Sequence, residues 1–149
     1  MQLVSQFSIF LVNKPGILAQ VSHQLAQAKI NILAMTMMDS SEHGVLRLVV
    51  EEPDKLRSAL GSLNVPITET EVVLVEMNNR PGALADICGR LATAHVNISY
   101  AYCTTGAQGG KTRGIFKVAD VKKAAKVLNG QVPKRRENNH QLRRSVAAR

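Results

Sequence analysis

The chain has 149 residues, a length that fits one domain or two small ones. Its hydrophobic content of 45% is ordinary for a globular protein, and no segment approaches the roughly 18 consecutive apolar residues of a membrane-spanning helix. The net charge of +8 is unevenly placed, because residues 131–149 hold six basic residues and one acidic residue. These features argue against a membrane protein, and they assign most of the basic character to the C-terminal tail.

The first half of the chain carries the pattern strand, helix, strand, strand, helix, strand. Apolar periodicity, with Gly and Pro at the turns, places these elements at residues 3–12, 15–29, 31–38, 45–51, 53–63 and 65–75, with a hairpin turn at 39–44. This order is that of the ferredoxin-like fold, an antiparallel sheet with both helices on one face. Pairs of such modules often pack through the face that the helices leave open.

The second half repeats the order as far as its second helix. The predicted elements are a strand at 71–77, a helix at 81–95, a strand at 97–104, a glycine-rich turn at 105–111, a strand at 114–118 and a helix at 121–128 capped by Asp120. No last strand is recognisable, since residues 131–133 have little strand character and 134–149 are polar; either the tail replaces the strand or it is disordered.

The predicted fold is therefore α+β, with two ferredoxin-like βαββαβ modules whose antiparallel sheets pack together. We place the first module at residues 1–69 and the second, which is short of its last strand, at 70–130. Residues 131–149 form a basic tail that we expect to be disordered.

Residues 1–6 contain neither the basic stretch nor the long apolar stretch of a secretory signal peptide, so we expect a soluble, cytoplasmic protein. The two cysteines, Cys88 and Cys103, have neither a metal-binding spacing nor the number that a disulfide framework needs. We expect both to be buried structural thiols, and we expect neither a metal nor a cofactor.

The most informative stretch is Asn-Lys-Pro-Gly-Ile-Leu-Ala at residues 13–19, because it recurs as Asn-Arg-Pro-Gly-Ala-Leu-Ala at 79–85, an offset of 66 residues. Residues 13–32 and 79–98 are identical at ten of twenty positions. An internal repeat of this kind takes precedence over other signals, and two copies indicate two sister modules rather than a solenoid.

Each copy follows a predicted strand and precedes an amphipathic helix. Pro15 and Pro81 suit the first helical turn, and Asn13 and Asn79 are candidate caps for the N–H groups at the helix start. The glycine that follows each proline keeps side chains away from the backbone, so the helix N-terminus could hold an anionic group such as a carboxylate. The alternative is a well-formed helix start with no ligand. The apolar helix faces are Leu18, Val21, Leu25 and Ala28 in the first copy and Leu84, Ile87, Leu91 and Ala94 in the second.

A strand ending in Asn-x-Pro-Gly-x-Leu, an amphipathic helix and Asn-Ile at the next strand resemble the ACT domain, and the resemblance covers residues 5 to about 129. It implies a non-catalytic regulatory protein that binds an amino acid where ACT domains meet, with the ligand against the strand-to-helix loops. The asparagine amide would hydrogen-bond the ligand, and backbone N–H groups past the glycine would take its carboxylate. The candidate ligand-binding residues are Asn13, Gly16, Ile17, Leu18, Asn79, Gly82, Ala83 and Leu84.

Three other functions are conceivable for such a chain. An enzyme is disfavoured because the four histidines are scattered and the sequence has no carboxylate pair, nucleophile elbow or phosphate loop. Nucleic-acid binding by the sheet would need stacked aromatic residues, and the central strands offer Phe116 alone, although the basic tail could contact phosphates. A subunit that docks on a biosynthetic enzyme such as acetohydroxyacid synthase remains an alternative. We also expect a homodimer, because open sheet edges or faces favour pairing.

Overall fold

The computed structural model of the chain describes residues 1–38, 43–104 and 109–130. Its elements are β1 (Gln2–Val12), α1 (Ile17–Gln27), β2 (Ile32–Met38), β3 (His43–Val50), α2 (Pro53–Leu60), β4 (Ile67–Asn78), α3 (Ala83–Thr93), β5 (Ile98–Cys103), β6 (Lys111–Val118) and α4 (Val121–Leu128). The described strands form one antiparallel sheet in the order β2-β3-β1-β4-β6-β5. The predicted α+β class is confirmed. None of the described helices is long and apolar enough to cross a membrane.

The long strands β1 and β4 each serve both modules. Residues 6–12 of β1 pair with β3, whereas residues 2–9 pair with residues 67–74 of β4. The far end of β4, residues 73–78, pairs with β6. In the first module the last strand, β4, lies beside the first strand, β1. In the second module the same place beside β4 is filled by the beginning of β1. Residues 131–133, where a last strand would follow α4, and the predicted tail, 131–149, lie outside the described residues.

Each module buries an aliphatic core between its strands and its own helices. Alternate residues of β1, beginning with Phe7, pack against Val21 and Leu25 of α1 and against α2. In the second module Val73 and its alternate neighbours on β4 pack against Leu91 of α3 and against α4. The helix faces follow the predicted spacing with one correction, because Leu84 is 46% exposed and Ala83 takes the inward position.

The two modules pack through the sheet faces that carry no helix. Side chains from most strands are buried on this inner face. Those at its centre are Ala34, Val49, Val72, Leu74 and Ile115. Polar contacts cross it as well. Gln6 of β1 donates from Nε2 to Tyr100 Oη at 2.7 Å, and Tyr102 Oη donates to Gln6 Oε1 at 3.0 Å. Since β4 and β6 separate β1 from β5 in the sheet, these contacts show that the sheet bends back on itself.

Both helix starts differ in detail from the prediction. The N-cap residues of α1 and α3 are Gly16 and Gly82, with φ of +86° and +87°. This left-handed conformation suits glycine, because a side chain there would be strained. Pro15 and Pro81 therefore lie in the preceding turn rather than in the first helical turn. The N-cap position is therefore glycine in both modules, and the asparagines lie three residues before it.

Two smaller expectations have different outcomes. The Asp120 cap of α4 is confirmed, since its carboxylate accepts a hydrogen bond from Lys123 N at 2.9 Å. The expectation of two buried thiols is wrong for Cys103, which is exposed because it ends the edge strand β5; Cys88 is half-buried on α3.

Candidate functional site

The strand-to-helix loop of the first module leads from Asn13 at the end of β1 to the start of α1. Ile17 N donates to Lys14 O at 3.4 Å, and Gln20 N donates to Gly16 O at 2.9 Å. The first N–H groups of a helix have no acceptor within the helix, so those of Leu18 and Ala19 are directed toward the loop. Together they form a set of backbone donors at the positive end of the helix dipole.

This first loop is open. A Cβ atom placed on Gly16 would meet no heavy atom within 4 Å, and Gly16 itself is exposed. The first turn of α1 carries no acidic residue that would neutralise the positive helix end. The loop is therefore able to accept an anionic group from outside, up to contact with the backbone.

The equivalent loop of the second module has a similar backbone, but different side chains lie over it. Arg80 lies over it, with a guanidinium nitrogen 3.6 Å from the Cβ position of Gly82 and a hydrogen bond of 3.1 Å to Pro81 O. Asp86, in the first turn of α3, holds Arg80 by an ion pair of 2.8 Å. The helix end thus already has a carboxylate beside it. In the first module these two positions are Lys14 and Gln20.

The second loop is also tied to the end of the β5–β6 hairpin. Asn79 N donates to Gly110 O at 2.8 Å, and Gly109 N donates to Asn79 O at 3.4 Å. Asn79 is half-buried as a result, whereas Asn13 is exposed. The two loops therefore differ in access although their sequences match closely.

The structure places the remaining predicted site residues in different surroundings. Ile17 and Leu18 are half-buried against the core of the first module, Ala83 is buried in the second, and Leu84 is exposed. Because β1 and β4 run antiparallel, their C-terminal ends and the two loops lie at opposite ends of the strand pair. One chain therefore does not bring the two loops together.

An exposed apolar group next to the first loop was not predicted. Phe10 of β1 and Met38 of β2 flank Val45 of β3 in neighbouring register positions, and Val12 precedes the loop; Phe10, Met38 and Val12 are 38%, 45% and 53% exposed. We call these four residues the apolar patch. The repeat could have revealed it, because the positions equivalent to Phe10 and Val12, 66 residues on, are Glu76 and Asn78.

Two features of the described side chains concern metal binding and thiol reactivity. Among the residues that the structure describes, no group of three or more His, Cys, Asp or Glu is arranged to hold a metal ion. Although Cys103 is exposed as a residue, partial desolvation of its thiol raises the pKa of that group, which disfavours the thiolate that a nucleophile would need. The arrangement suits binding through backbone donors.

Comparison with known proteins identifies the family, since residues 2–136 match the family described as the ACT domain pair. The chain belongs to this family. Among solved structures, protein BT0572 from Bacteroides thetaiotaomicron is 33% identical, with 85% of this chain and 87% of that chain covered and a TM-score of 0.78. This ACT pair is thus similar to BT0572 over most of its length.

Two further structures share the fold at low identity. The ligand-free regulatory subunit of aspartate kinase from Thermus thermophilus is 15% identical, with 89% and 99% of the two chains covered and a TM-score of 0.63. The corresponding subunit from Thermus flavus is 17% identical, with 89% and 96% covered and a TM-score of 0.52. Comparison with curated proteins gives no match.

Proposed function

We propose that this ACT pair is a non-catalytic sensing protein that binds an amino acid at the strand-to-helix loop of its first module. The observation that carries the proposal is the difference between the glycines. Gly16 opens onto space, whereas Gly82 lies under Arg80. The positive end of α1 lacks an internal carboxylate, and Asp86 supplies one to α3. A ligand carboxylate would take at α1 the place that Asp86 takes at α3.

The rest of the ligand would contact side chains around the loop. Asn13 follows β1 directly, and in this proposal its amide hydrogen-bonds the ligand. Val12 and Phe10 offer apolar contacts on the adjacent strand. Since this loop faces solvent in a single chain, we infer that a second molecule supplies the other wall of the site.

The proposed second molecule is another copy of this chain, which gives a homodimer. The apolar patch borders the open loop, and exposed aliphatic and aromatic side chains that lie together are typical of an interface. A biosynthetic enzyme docked on the same patch is the second candidate. It is favoured by the two Thermus neighbours, which are regulatory subunits of aspartate kinase.

The binding experiment is a thermal-shift screen of the full chain against the twenty amino acids. A ligand at 100 times its Kd should add about 2.7 kcal/mol to the free energy of unfolding. Gly16→Ala and Gly82→Ala form a matched pair, because the two φ angles are nearly equal and the backbone strain is therefore alike. We expect Gly16→Ala to abolish the shift and Gly82→Ala to keep it. No shift with any amino acid, or equal loss in both variants, would contradict the proposal.

The dimer is tested separately by sedimentation of Phe10→Glu, which copies the residue found at the equivalent position of the second module. A dimeric wild type and a monomeric variant would support pairing through the patch. A monomeric wild type that co-sediments with an added aspartate kinase would instead favour the enzyme-docking alternative.

A further inference from the structure

Positive charge is concentrated in the second half of the chain. Residues 1–69 hold five basic and six acidic residues, whereas residues 70–130 hold eight basic and four acidic ones. Residues 131–149 add six basic residues and one acidic residue. The first module therefore has a net charge of −1 and the second of +4. Because the two modules share one arrangement of strands and helices, the fold does not require this difference, and a polyanion would be attracted to the second module.

The difference is clearest between the equivalent helices α2 and α4. Both basic residues of α2, Lys55 and Arg57, form ion pairs with nearby carboxylates. The ion pairs among the described residues involve none of the three lysines of α4, which are Lys122, Lys123 and Lys126. The charge of α4 is therefore left for a partner outside the chain.

The three lysines lie on one side of α4. Residues three and four apart in a helix are neighbours on its surface, so Lys126 lies one turn from both Lys122 and Lys123. Ala124, on the opposite side, is buried in the core of the second module. Arg90 of α3 is exposed and donates a hydrogen bond to a backbone carbonyl in the last turn of α4, which adds a fourth cation there. We call Arg90, Lys122, Lys123 and Lys126 the basic face.

The C-terminal part of the chain continues from this face. Residues 131–149, with their six basic residues, follow α4 after Asn129 and Gly130. A chain advances at most about 3.6 Å per residue, so this segment starts close to the C-terminal end of α4. The basic face and the C-terminal segment can therefore contact the same extended polyanion.

Among anionic partners, a nucleic-acid duplex fits the basic face best. A helix that lies on a membrane needs a free apolar side, and that of α4 is buried. A protein interface has an apolar core, and none of the large exposed apolar residues in the described part of the chain lies on α4. Single strands stack on exposed aromatic side chains, and the one exposed aromatic residue among 1–38, 43–104 and 109–130 is Phe10 of the apolar patch.

We propose that the basic face and residues 131–149 bind the phosphate backbone of duplex nucleic acid without sequence preference. A duplex carries one phosphate charge about every 1.7 Å along its axis, and lysine and arginine contact phosphate oxygens without reading the bases. The sheet is not free to enter a groove, because one face carries the helices and the other is buried between the modules. The proposal does not depend on the loop site of the first module.

The test is fluorescence anisotropy of a labelled DNA duplex titrated with the full chain at several salt concentrations. We expect the logarithm of the affinity to fall linearly with the logarithm of the salt concentration, and two duplexes of unrelated sequence to bind alike. Lys122→Gln with Lys126→Gln should weaken binding and reduce the steepness of that line by about 2. Lys29→Gln with Lys55→Gln removes the same charge from exposed positions of the first module and should leave the line unchanged.

A third pair, Arg135→Gln with Arg136→Gln, tests the C-terminal segment and should reduce the steepness by a similar amount. A wild-type chain that does not bind the duplex at low salt would overturn the proposal, and that result needs no variant to fold. Equal losses in the α4 pair and its control would also overturn it, because they would reflect net charge alone. A loss confined to the third pair would exclude the basic face. Binding to vesicles of phosphatidylcholine and phosphatidylserine, without binding to DNA, would overturn the proposal in favour of a membrane surface.

Discussion

Ser5 of β1 lies directly opposite Glu71 of β4, and the two residues are 66 positions apart, the offset of the repeat. Each is therefore the counterpart of the other, and a pseudo-twofold axis passes through the pair. The rest of the ladder obeys the same symmetry, since Gln6 opposite Thr70 is matched by Val72 opposite Val4. Each module thus lends the beginning of its first strand to the other module as a last strand.

The shared strands predict that the second module does not fold alone. A fragment of residues 66–130 lacks the beginning of β1 and exposes the β4 edge with which it pairs. Domains of about 60 residues are marginally stable even when complete. We expect the fragment to show no cooperative urea transition by circular dichroism.

Addition of a peptide of residues 1–12 should restore that transition, and a scrambled peptide should not. Cooperative unfolding of the fragment without any peptide would contradict the strand exchange.

The sequence predicted most of the fold because period-2 and helical apolar patterns are strong in this chain. The helix over 121–128 has the predicted bounds, and the shared strand β4 was foreseen in part as two overlapping strands, 65–75 and 71–77. The place of the last strand in the second module was not predictable from local pattern. It is filled by residues 2–9 of β1, more than 120 residues before the segment 131–133, and no local feature of those residues indicates which strand they pair with.

The loops show a second limit of sequence reasoning. The repeat identified both glycines, but Arg80 and Asp86 looked like ordinary substitutions for Lys14 and Gln20. Their effect depends on a contact between residues six apart across a helix start, 2.8 Å in length, which the spacing alone does not specify.

The polar contacts across the inner face predict a strongly coupled set. Gln6 is fully buried and bonds both Tyr100 and Tyr102. Tyr102→Phe removes the donor to Gln6 Oε1 and should lower the free energy of unfolding by about 1–3 kcal/mol, because a buried acceptor is left without a partner. Urea denaturation measures the loss.

The triple change Gln6→Leu, Tyr100→Phe and Tyr102→Phe removes donors and acceptors together. It should cost less than the sum of the single changes, with a coupling of about 0.5–3 kcal/mol. Additive losses would show that the three groups act independently.

Another prediction concerns acid. Arg57 of α2 holds Glu69 of β4 with two hydrogen bonds, one of them 2.9 Å from Nε, and this contact lowers the pKa of Glu69 to about 2. A carboxylate with a depressed folded-state pKa contributes stability above its unfolded pKa near 4.5, and that contribution is lost as the pH falls toward 2.

Glu69→Gln should therefore flatten the fall in stability between pH 4.5 and pH 2, as measured by urea midpoints at each pH. In an Arg57→Gln background the same change should have little further effect. An unchanged pH slope in Glu69→Gln would assign acid sensitivity to other carboxylates.

The last prediction converts the closed loop into an open one. Arg80→Lys with Asp86→Gln gives the second module the side chains that the first module carries at the same positions. The ion pair removed is well exposed, so the free energy of unfolding should change by less than about 1 kcal/mol. The helix end of α3 would lose its internal carboxylate and the guanidinium that covers Gly82.

Isothermal titration with the amino acid found in the thermal-shift screen should then show one more bound ligand per chain in the double variant than in the wild type. The reciprocal variant, Lys14→Arg with Gln20→Asp, should close the first loop and abolish binding there. Because the backbones of the two loops match, this exchange tests whether the side chains at these two positions control access to the loop. An unchanged stoichiometry in the double variant, together with retained binding in the reciprocal one, would show that Arg80 and Asp86 do not control access.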